Sequence, residues 1–241
     1  MSPASFEVTA SPGLVWRVGF EPDMWAWTPW QYATDSGLFD GRWDDQLGEF
    51  RTLYTSDRLL GCLLELLAKF RPSTKVSVAL DQVIDDDGTG QQYPDGPDGG
   101  LGHGWLEHRL YGQAEQDGKY CFITHSSSLA ALLDRYPFGR HGLTPADIDA
   151  ALLKDGRNRT LTRSIARWIY DLRDGKGTEL VDGIEFRSRY GDELKVWAVF
   201  ERSRDGASSL HLHPRMHALS IPDDLPELIE AFRIHELAWA D

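Results

Sequence analysis

An amphipathic helix predicted between Arg58 and Phe70 limits the folds open to this chain. Its apolar residues recur every three or four positions, which is the spacing of one helix face. The strand-like run from Phe50 to Thr55 leads into the helix, Ser56 offers an N-cap, and Arg71-Pro72 ends it. A helix with one apolar face has to pack against another layer, and the strand before it indicates a sheet. The apolar face consists of Leu59, Leu60, Leu63, Leu64, Leu67 and Phe70.

Strand-like and helix-like segments are mixed along the rest of the chain, which predicts an α+β fold. A Trp-rich stretch, 20–43, is predicted to be an ordered loop, because indoles are costly to leave in water. A loop of about twenty residues, 85–104, is too long for a simple connector, so it is interpreted as an insertion or a lid. The turn at Asp117-Gly118 is predicted to join two strands. Predicted strands cover 14–18, 75–84, 106–114, 120–124, 183–187 and 194–200, and further helices cover 126–136, 144–153, 161–172 and 223–235.

Composition and charge exclude several classes of protein. The chain has 241 residues and a formal net charge of −13, so non-specific binding to nucleic acid or anionic lipid is not expected. An anionic ligand would need a local cluster of Arg or Lys. No run of 18 apolar residues predicts a membrane helix, and the N-terminus lacks the pattern of a signal peptide. Cys62 and Cys121 are interpreted as buried thiols rather than a disulfide, which favours a cytoplasmic protein.

The best candidate chemistry lies between residues 41 and 65. Arg42 suits a phosphate, Trp43 or Tyr54 suits a flat ring, and Glu65 suits a developing positive charge, so the set fits a nucleotide. Each residue also has an ordinary interpretation: a loop Arg stacked on an indole, a core Tyr, or a solvated Glu beside Lys69. Gly61, one turn before Glu65, indicates either space above the carboxylate or close packing by another part of the chain.

Three further candidates lie outside that segment. Arg17, in a short apolar strand, either reaches outward or points into a polar cleft. Ser188, between Arg187 and Arg189, lacks the surroundings of a hydrolase nucleophile and suits a phosphate or a ribose hydroxyl. The spacing of His211, His213 and His217 resembles a zinc site but has no acidic or Cys partner at a diagnostic offset, so no metal is predicted.

Three segments in this order resemble the RES domain, the toxin half of bacterial Xre–RES toxin–antitoxin pairs. They are Trp16-Arg17-Val18; Gly41-Arg42-Trp43 through Leu53-Tyr54-Thr55 to Glu65; and 182–188 followed by 196–200. The Arg, Glu and Ser that name the family match Arg17, Glu65 and Ser188, with Arg42 a rival for the Arg. Asp44 stands where the family often has Asn.

The resemblance implies an ADP-ribosyltransferase-like α+β fold, with a mixed sheet flanked by helices, in one domain spanning 1–241. Its core would comprise 14–72 and 161–201, with an insertion at about 85–160 and an extension at 202–241. The implied activity is cleavage of the nicotinamide–ribose bond of NAD, a substrate rather than a cofactor, with water or phosphate as acceptor.

The site residues that the resemblance implies have two kinds of role. Glu65, Arg17 and Tyr54 would be catalytic, and Arg42, Trp43, Ser188 and Arg187 would bind the dinucleotide. A cognate antitoxin is implied as partner, with no direct contact to nucleic acid or membrane, and a homo-oligomer is left open. Two other functions also stay open: an inert binding protein on the same scaffold, and a transferase that places ADP-ribose on a macromolecule.

Overall fold

The computed structural model describes residues 5–34, 36–72 and 99–240, which form eleven strands and five α-helices. The predicted strand 75–84 and most of the 85–104 loop lie outside these ranges. The strands are β1 Val8–Ala10, β2 Gly13–Phe20, β3 Thr52–Ser56, β4 Gly100–Leu101, β5 Arg109–Gln116, β6 Lys119–Phe122, β7 Gly183–Ser188, β8 Gly191–Phe200, β9 Leu212–Pro214, β10 Leu219–Ser220 and β11 Ala238–Trp239. The helices are α1 Leu59–Leu67, α2 Ser126–Arg135, α3 Ala150–Lys154, α4 Arg159–Tyr170 and α5 Pro226–His235.

Nine of these strands form one mixed sheet. Its order is β1-β6-β7-β8-β3-β2-β5-β10, and β9 also pairs with β5. The β6–β7 pair is parallel, and the other pairs of this sheet are antiparallel. Strands β4 and β11 form a separate parallel pair. The predicted α+β class, a mixed sheet with helices packed on it, is confirmed.

The sheet is curled, because a short turn joins two of its distant strands. Asp117 and Gly118 link β5 to β6, yet four strands lie between these two in the sheet order. In a flat sheet they would be roughly 24 Å apart, at about 4.8 Å per strand, and two residues cannot span that distance. The Ser11 N–H donates to the Gly118 carbonyl at 2.8 Å, and the Asp117 N–H donates to the His211 carbonyl at 3.1 Å, where the ends meet. The turn was predicted correctly, but the strands that it joins pair with other neighbours instead of with each other.

Side-chain alternation along the strands separates an inner from an outer face of the curled sheet. The inner face holds an apolar cluster that includes Val15, Leu53 and Trp197, closed by Trp25 and Trp27 of the Trp-rich loop. The outer face carries two clusters. One lies under α2 and α4 and contains Trp43 and Phe186; the other lies under α1 and α5 and contains the α1 leucines. The predicted leucine face of α1 is therefore buried, and the burial of Trp25 and Trp27 agrees with an ordered loop.

Several local details differ from the sequence prediction. Ser56 does not cap α1; its hydroxyl donates to the Lys195 carbonyl at 2.8 Å, and Arg58 is the N-cap residue. The predicted helix 144–153 is divided into a 3-10 turn, Pro145–Asp147, and the short helix α3. The interval described as an insertion supplies β5 and β6 to the main sheet. Its strands were recognised, but their places in the sheet depend on long-range pairing that local patterns do not encode.

Both cysteines are free thiols, as the composition suggested. The Cys62 thiol donates to the Trp16 carbonyl at 3.2 Å, and Cys121 is buried. Burial raises the pKa of each thiol to about 12. No helix within the described ranges is both long and apolar enough to cross a membrane.

Candidate active site

Glu65, Ser188 and Arg42 meet on the outer face of the sheet, although they come from three distant segments. The Ser188 hydroxyl donates to Glu65 Oε1 at 2.7 Å, and Arg42 Nη2 lies 4.0 Å from Glu65 Oε2. The Arg42 side chain is 8% exposed and that of Glu65 is 26% exposed. The carboxylate is therefore reachable from solvent, while the guanidinium beside it is almost withdrawn from water.

Helix α1 places Glu65 at the border of the buried leucine face. Gly61, one turn earlier, is required by packing: a Cβ at this position would lie 2.3 Å from Ser56 Oγ. That contact belongs to the strand that enters the helix, not to Glu65. Of the two interpretations of Gly61 given by the sequence, close packing is therefore the one that the structure supports.

Ser188 is positioned at the end of β7 by an irregularity in the sheet. The pairing of β7 with β8 shifts register between Arg187 and Ser188. The Tyr190 N–H donates to the Ser188 hydroxyl at 3.1 Å, which leaves that hydroxyl to donate to Glu65. Ser188 thus holds one carboxylate oxygen in a fixed direction.

The loop before β3 presents Arg42. Gly41 comes so close to its neighbours that a Cβ there would lie 2.5 Å from the Tyr54 hydroxyl oxygen and 2.6 Å from Asp44 Oδ2. The Tyr54 hydroxyl accepts the Trp43 N–H at 2.9 Å and donates to Asp44 Oδ1, also at 2.9 Å. These contacts hold the loop on one side, and Arg42 extends from it toward Glu65.

Arg42 is an incompletely compensated cation. Its Nη1 is buried and has no hydrogen-bond partner among the described residues. Burial lowers the pKa of Arg42; Glu65 opposes this shift, and the nearby Arg189 and Arg159 add to it. The backbone of Gly156 lies against the guanidinium, since a Cβ there would be 3.3 Å from Nη2. Arg42, with Arg189 and Arg159 near it, suits a ligand that brings negative charge.

Arg17 lies elsewhere. Its neighbours on β2, Trp16 and Val18, pack with the α1 leucines on the outer face of the sheet. Because side chains alternate along a strand, the Arg17 side chain lies on the inner face. Its Nε donates to the Met24 carbonyl at 2.6 Å, and its Nη1 donates to the Tyr54 carbonyl at 3.1 Å. Burial lowers its pKa to about 10. The structure does not bring Arg17 to Glu65, and the rival Arg42 occupies that place.

Two other predicted ligand-binding residues are also engaged in packing. Trp43 is fully buried, with its ring 5.9 Å from that of Phe186. Arg187 alternates with Ser188 and so points away from it; its Nη1 donates to Glu185 at 3.1 Å, and it stacks over Phe122. Neither side chain is brought to Glu65.

The three histidines are not grouped as metal ligands. His211 Nδ1 is 2.5 Å from Asp117, its Nε2 is 3.2 Å from Asp182, and His213 Nε2 is 3.0 Å from Asp117. Arg204 also contacts Asp182, at 2.5 Å. Within the described ranges, no group of three His, Cys, Asp or Glu side chains is arranged to hold a metal ion.

Sequence reasoning missed Arg159, Gly156 and the role of Asp44. A signal for Arg159 was present: with Arg163 and Arg167 it recurs every four residues along α4, which places the three on one helix face. That this face meets the Arg42 loop follows only from tertiary packing.

The comparisons agree with the sequence resemblance. The model of the RES domain family matches residues 14–97, a range that contains Arg42, Tyr54 and Glu65, so the recognition made from the sequence is confirmed. A solved structure, described as the crystal structure of the M. tuberculosis MbcT-MbcA toxin-antitoxin complex, is similar with a TM-score of 0.42 and 12% identity. The match covers 95% of this chain and 92% of that one. No curated protein matches the chain.

Proposed function

We propose that this chain, a RES domain protein by its match over residues 14–97, degrades NAD by breaking the nicotinamide–ribose bond. The observation that carries the proposal is the meeting of Arg42, Glu65 and Ser188. These residue types, an Arg, a Glu and a Ser, are the ones that name the family, and the fold gathers them from β7, α1 and the loop before β3.

Arg42 binds a phosphate of the dinucleotide in this proposal. A buried cation without an acceptor is unfavourable, and a phosphate oxygen at Nη1 would relieve it. Arg159 and Arg189, which already act on the pKa of Arg42, add positive charge to the same place. This local cluster answers the objection that a chain with a net charge of −13 should repel an anion.

Glu65 stabilises the positive charge that develops on the ribose. The bond from C1′ to the nicotinamide nitrogen breaks, its electron pair leaves with neutral nicotinamide, and C1′ becomes oxocarbenium-like. The Ser188 hydroxyl holds Glu65 Oε1, and Oε2, which lies 4.0 Å from Arg42 Nη2, faces the sugar. The acceptor oxygen, from water or phosphate, then bonds to C1′; water releases a proton in doing so.

Arg17, Trp43 and Arg187 receive structural roles in this proposal, because their polar groups or rings are engaged away from Glu65. Tyr54, expected to pack on nicotinamide or ribose, acts through its hydrogen bonds to the Arg42 loop. The chain would serve as the toxin of a toxin–antitoxin pair and be neutralised by a cognate antitoxin. The RES resemblance supports that setting.

The test is release of free nicotinamide from NAD by the purified protein. Glu65→Gln keeps the shape of the side chain and removes its charge, so we expect the rate to fall by roughly 10²–10³-fold, the usual contribution of one preorganised electrostatic group. The matched control is Glu107→Gln, at an exposed position after the short turn that follows β4. It should keep the parent rate.

The outcomes separate the competing functions. A folded parent that releases no nicotinamide would support the inert binding protein. Release that requires added lysate, with label from NAD appearing on protein or nucleic acid, would support the macromolecular transferase. A Glu65→Gln variant as fast as the parent would remove Glu65 from the mechanism.

A further inference from the structure

Asp44 and Tyr54 form a closed set of hydrogen bonds around Arg42, the residue that is proposed to bind a phosphate of NAD. Asp44 Oδ1 accepts the Tyr54 hydroxyl at 2.9 Å, and Oδ2 accepts the Gly41 N–H at 2.5 Å. The Tyr54 hydroxyl in turn accepts the Trp43 N–H at 2.9 Å. Positions 41, 43 and 44 are thus tied together, and the Arg42 side chain extends from this set toward Glu65.

The ionised carboxylate of Asp44 has a desolvation cost, because the residue is only 6% exposed. Burial raises its pKa, and the hydrogen bonds from Tyr54 and Gly41 oppose that rise. An Asn could not make the same contacts: its single amide oxygen can accept from Gly41 or from Tyr54, while its NH₂ group cannot accept at all. The Asp that departs from the common family residue is therefore used for the geometry of the loop.

The opposite side of the same loop is braced by α4. Arg163 Nη2 donates to Asp40 Oδ1 at 2.9 Å, and Arg159 Nη1 donates to the Asp40 carbonyl at 2.6 Å. The residue before Gly41 is thus fixed to a helix of the outer face. Contacts on both sides leave the backbone of Arg42 little freedom to shift.

We propose that Asp44 and Tyr54 are positioning residues, which act on NAD cleavage only through Arg42 and do not touch the substrate. The inference rests on the proposed function. Its physical basis is preorganisation: a guanidinium held in place before binding loses no freedom when the phosphate arrives, and a displacement of about 1 Å can cost on the order of 10²-fold in rate.

The experiment uses Tyr54→Phe and Asp44→Asn, each alone and each combined with Arg42→Ala. We expect each single variant to lower kcat/KM for NAD by about 10-fold or more, mainly through KM, as the grip loosens. In the Arg42→Ala background the same substitutions should cost almost nothing further, because the residue through which they act is gone. If Asp44 and Tyr54 had only a structural role, the fold-decreases in kcat/KM of the single variants would multiply in the double variants.

The matched control is Tyr120→Phe, which also removes a hydroxyl with a backbone partner, the Asp117 carbonyl at 2.8 Å, but inside the curled sheet. It should leave kcat/KM unchanged. Full activity of Tyr54→Phe, or full loss on top of Arg42→Ala, would overturn the proposal.

A readout without NAD keeps this inference separate from the proposed function. The side-chain Nε–H resonance of Arg42, assigned by its loss in Arg42→Ala, should be single and sharp in the parent and shifted or broadened in Tyr54→Phe. An unchanged resonance would contradict positioning even in a protein that never cleaves NAD. An inactive parent with the expected change would contradict only the activity.

Discussion

Arg17, which is partly accessible, and Arg42, which is buried, were both candidates for the arginine of the family. Burial lowers the pKa of both. Arg17 donates to two backbone carbonyls, those of Met24 and Tyr54. Arg42 has a carboxylate at 4.0 Å and a buried Nη1 without a partner among the described residues. The two share a desolvation cost and differ in how that cost is compensated.

The difference distinguishes a structural charge from a functional one. A buried donor that has its acceptors contributes to the fold, and one that lacks them costs stability until a ligand supplies them. The cluster of Asp117, Asp182 and His211 resembles Arg17 in this respect, since each charge faces an opposite charge. Arg42 is the exception, because its Nη1 has no acceptor among the described residues.

Arg42→Ala should have the largest effect. We expect kcat/KM for NAD to fall by about 10²-fold or more, because a phosphate contact in a partly water-excluded place is lost. Stability should stay the same or rise, since an incompletely compensated buried charge is removed. Nicotinamide release and thermal denaturation measure the two effects, with Arg140→Ala at an exposed position as control. Unfolding of Arg42→Ala with normal activity at low temperature would reverse the comparison.

Arg17→Met should show the opposite pattern. The loss of two hydrogen bonds from a charged donor should lower the free energy of unfolding by about 2 kcal/mol. This value is near the low end for such bonds, because Arg17 is partly accessible to solvent. Below its melting temperature the variant should keep kcat/KM within about twofold of the parent. Chemical denaturation and nicotinamide release test this. A raised KM with unchanged stability would instead make Arg17 the residue that binds NAD, as the first match to the family suggested.

The His211 cluster should show the smallest effect, and only in stability. Burial of Asp182 raises its pKa, but the hydrogen bonds from His211 and the Lys119 N–H outweigh this and lower it to about 2. The stability that Asp182 contributes to the fold is therefore present above pH 3.8 and is lost as pH falls toward 2. The hydrogen bond to Asp182 raises the pKa of His211 above 6.5. The stability that protonated His211 contributes is therefore present below pH 6.5 and is lost as pH rises through the pKa of His211 in the folded protein.

The measurement is the thermal midpoint of the parent and of His211→Gln across pH. The difference between the two midpoints should be greatest between pH 3.8 and 6.5 and should shrink above 6.5. It should correspond to about 1 kcal/mol or less in the free energy of unfolding. NAD cleavage relative to the parent should not change. A constant difference at all pH values would mean that the charge of His211 plays no part.

Much of the local structure could be predicted from the sequence alone. The period of the leucines located α1, alternation located most strands of the sheet, and short motifs in a fixed order indicated the family, a recognition that the family match confirms. Boundaries were less certain where competing contacts act, as at Ser56, whose hydroxyl bonds to Lys195 on a strand far along the chain.

The choice between Arg17 and Arg42 depended on tertiary structure. Both have apolar or aromatic neighbours in sequence, and nothing local records which face of a curled sheet a side chain reaches. That face is decided by the pairing of β2 with β5 and of β3 with β8, contacts between residues far apart in the chain. Periodicity reports which residues share a face of one element, whereas packing decides which faces meet. For this protein the sequence therefore determined the elements and the candidate residues, and the folded sheet alone determined which of those residues gather around Glu65.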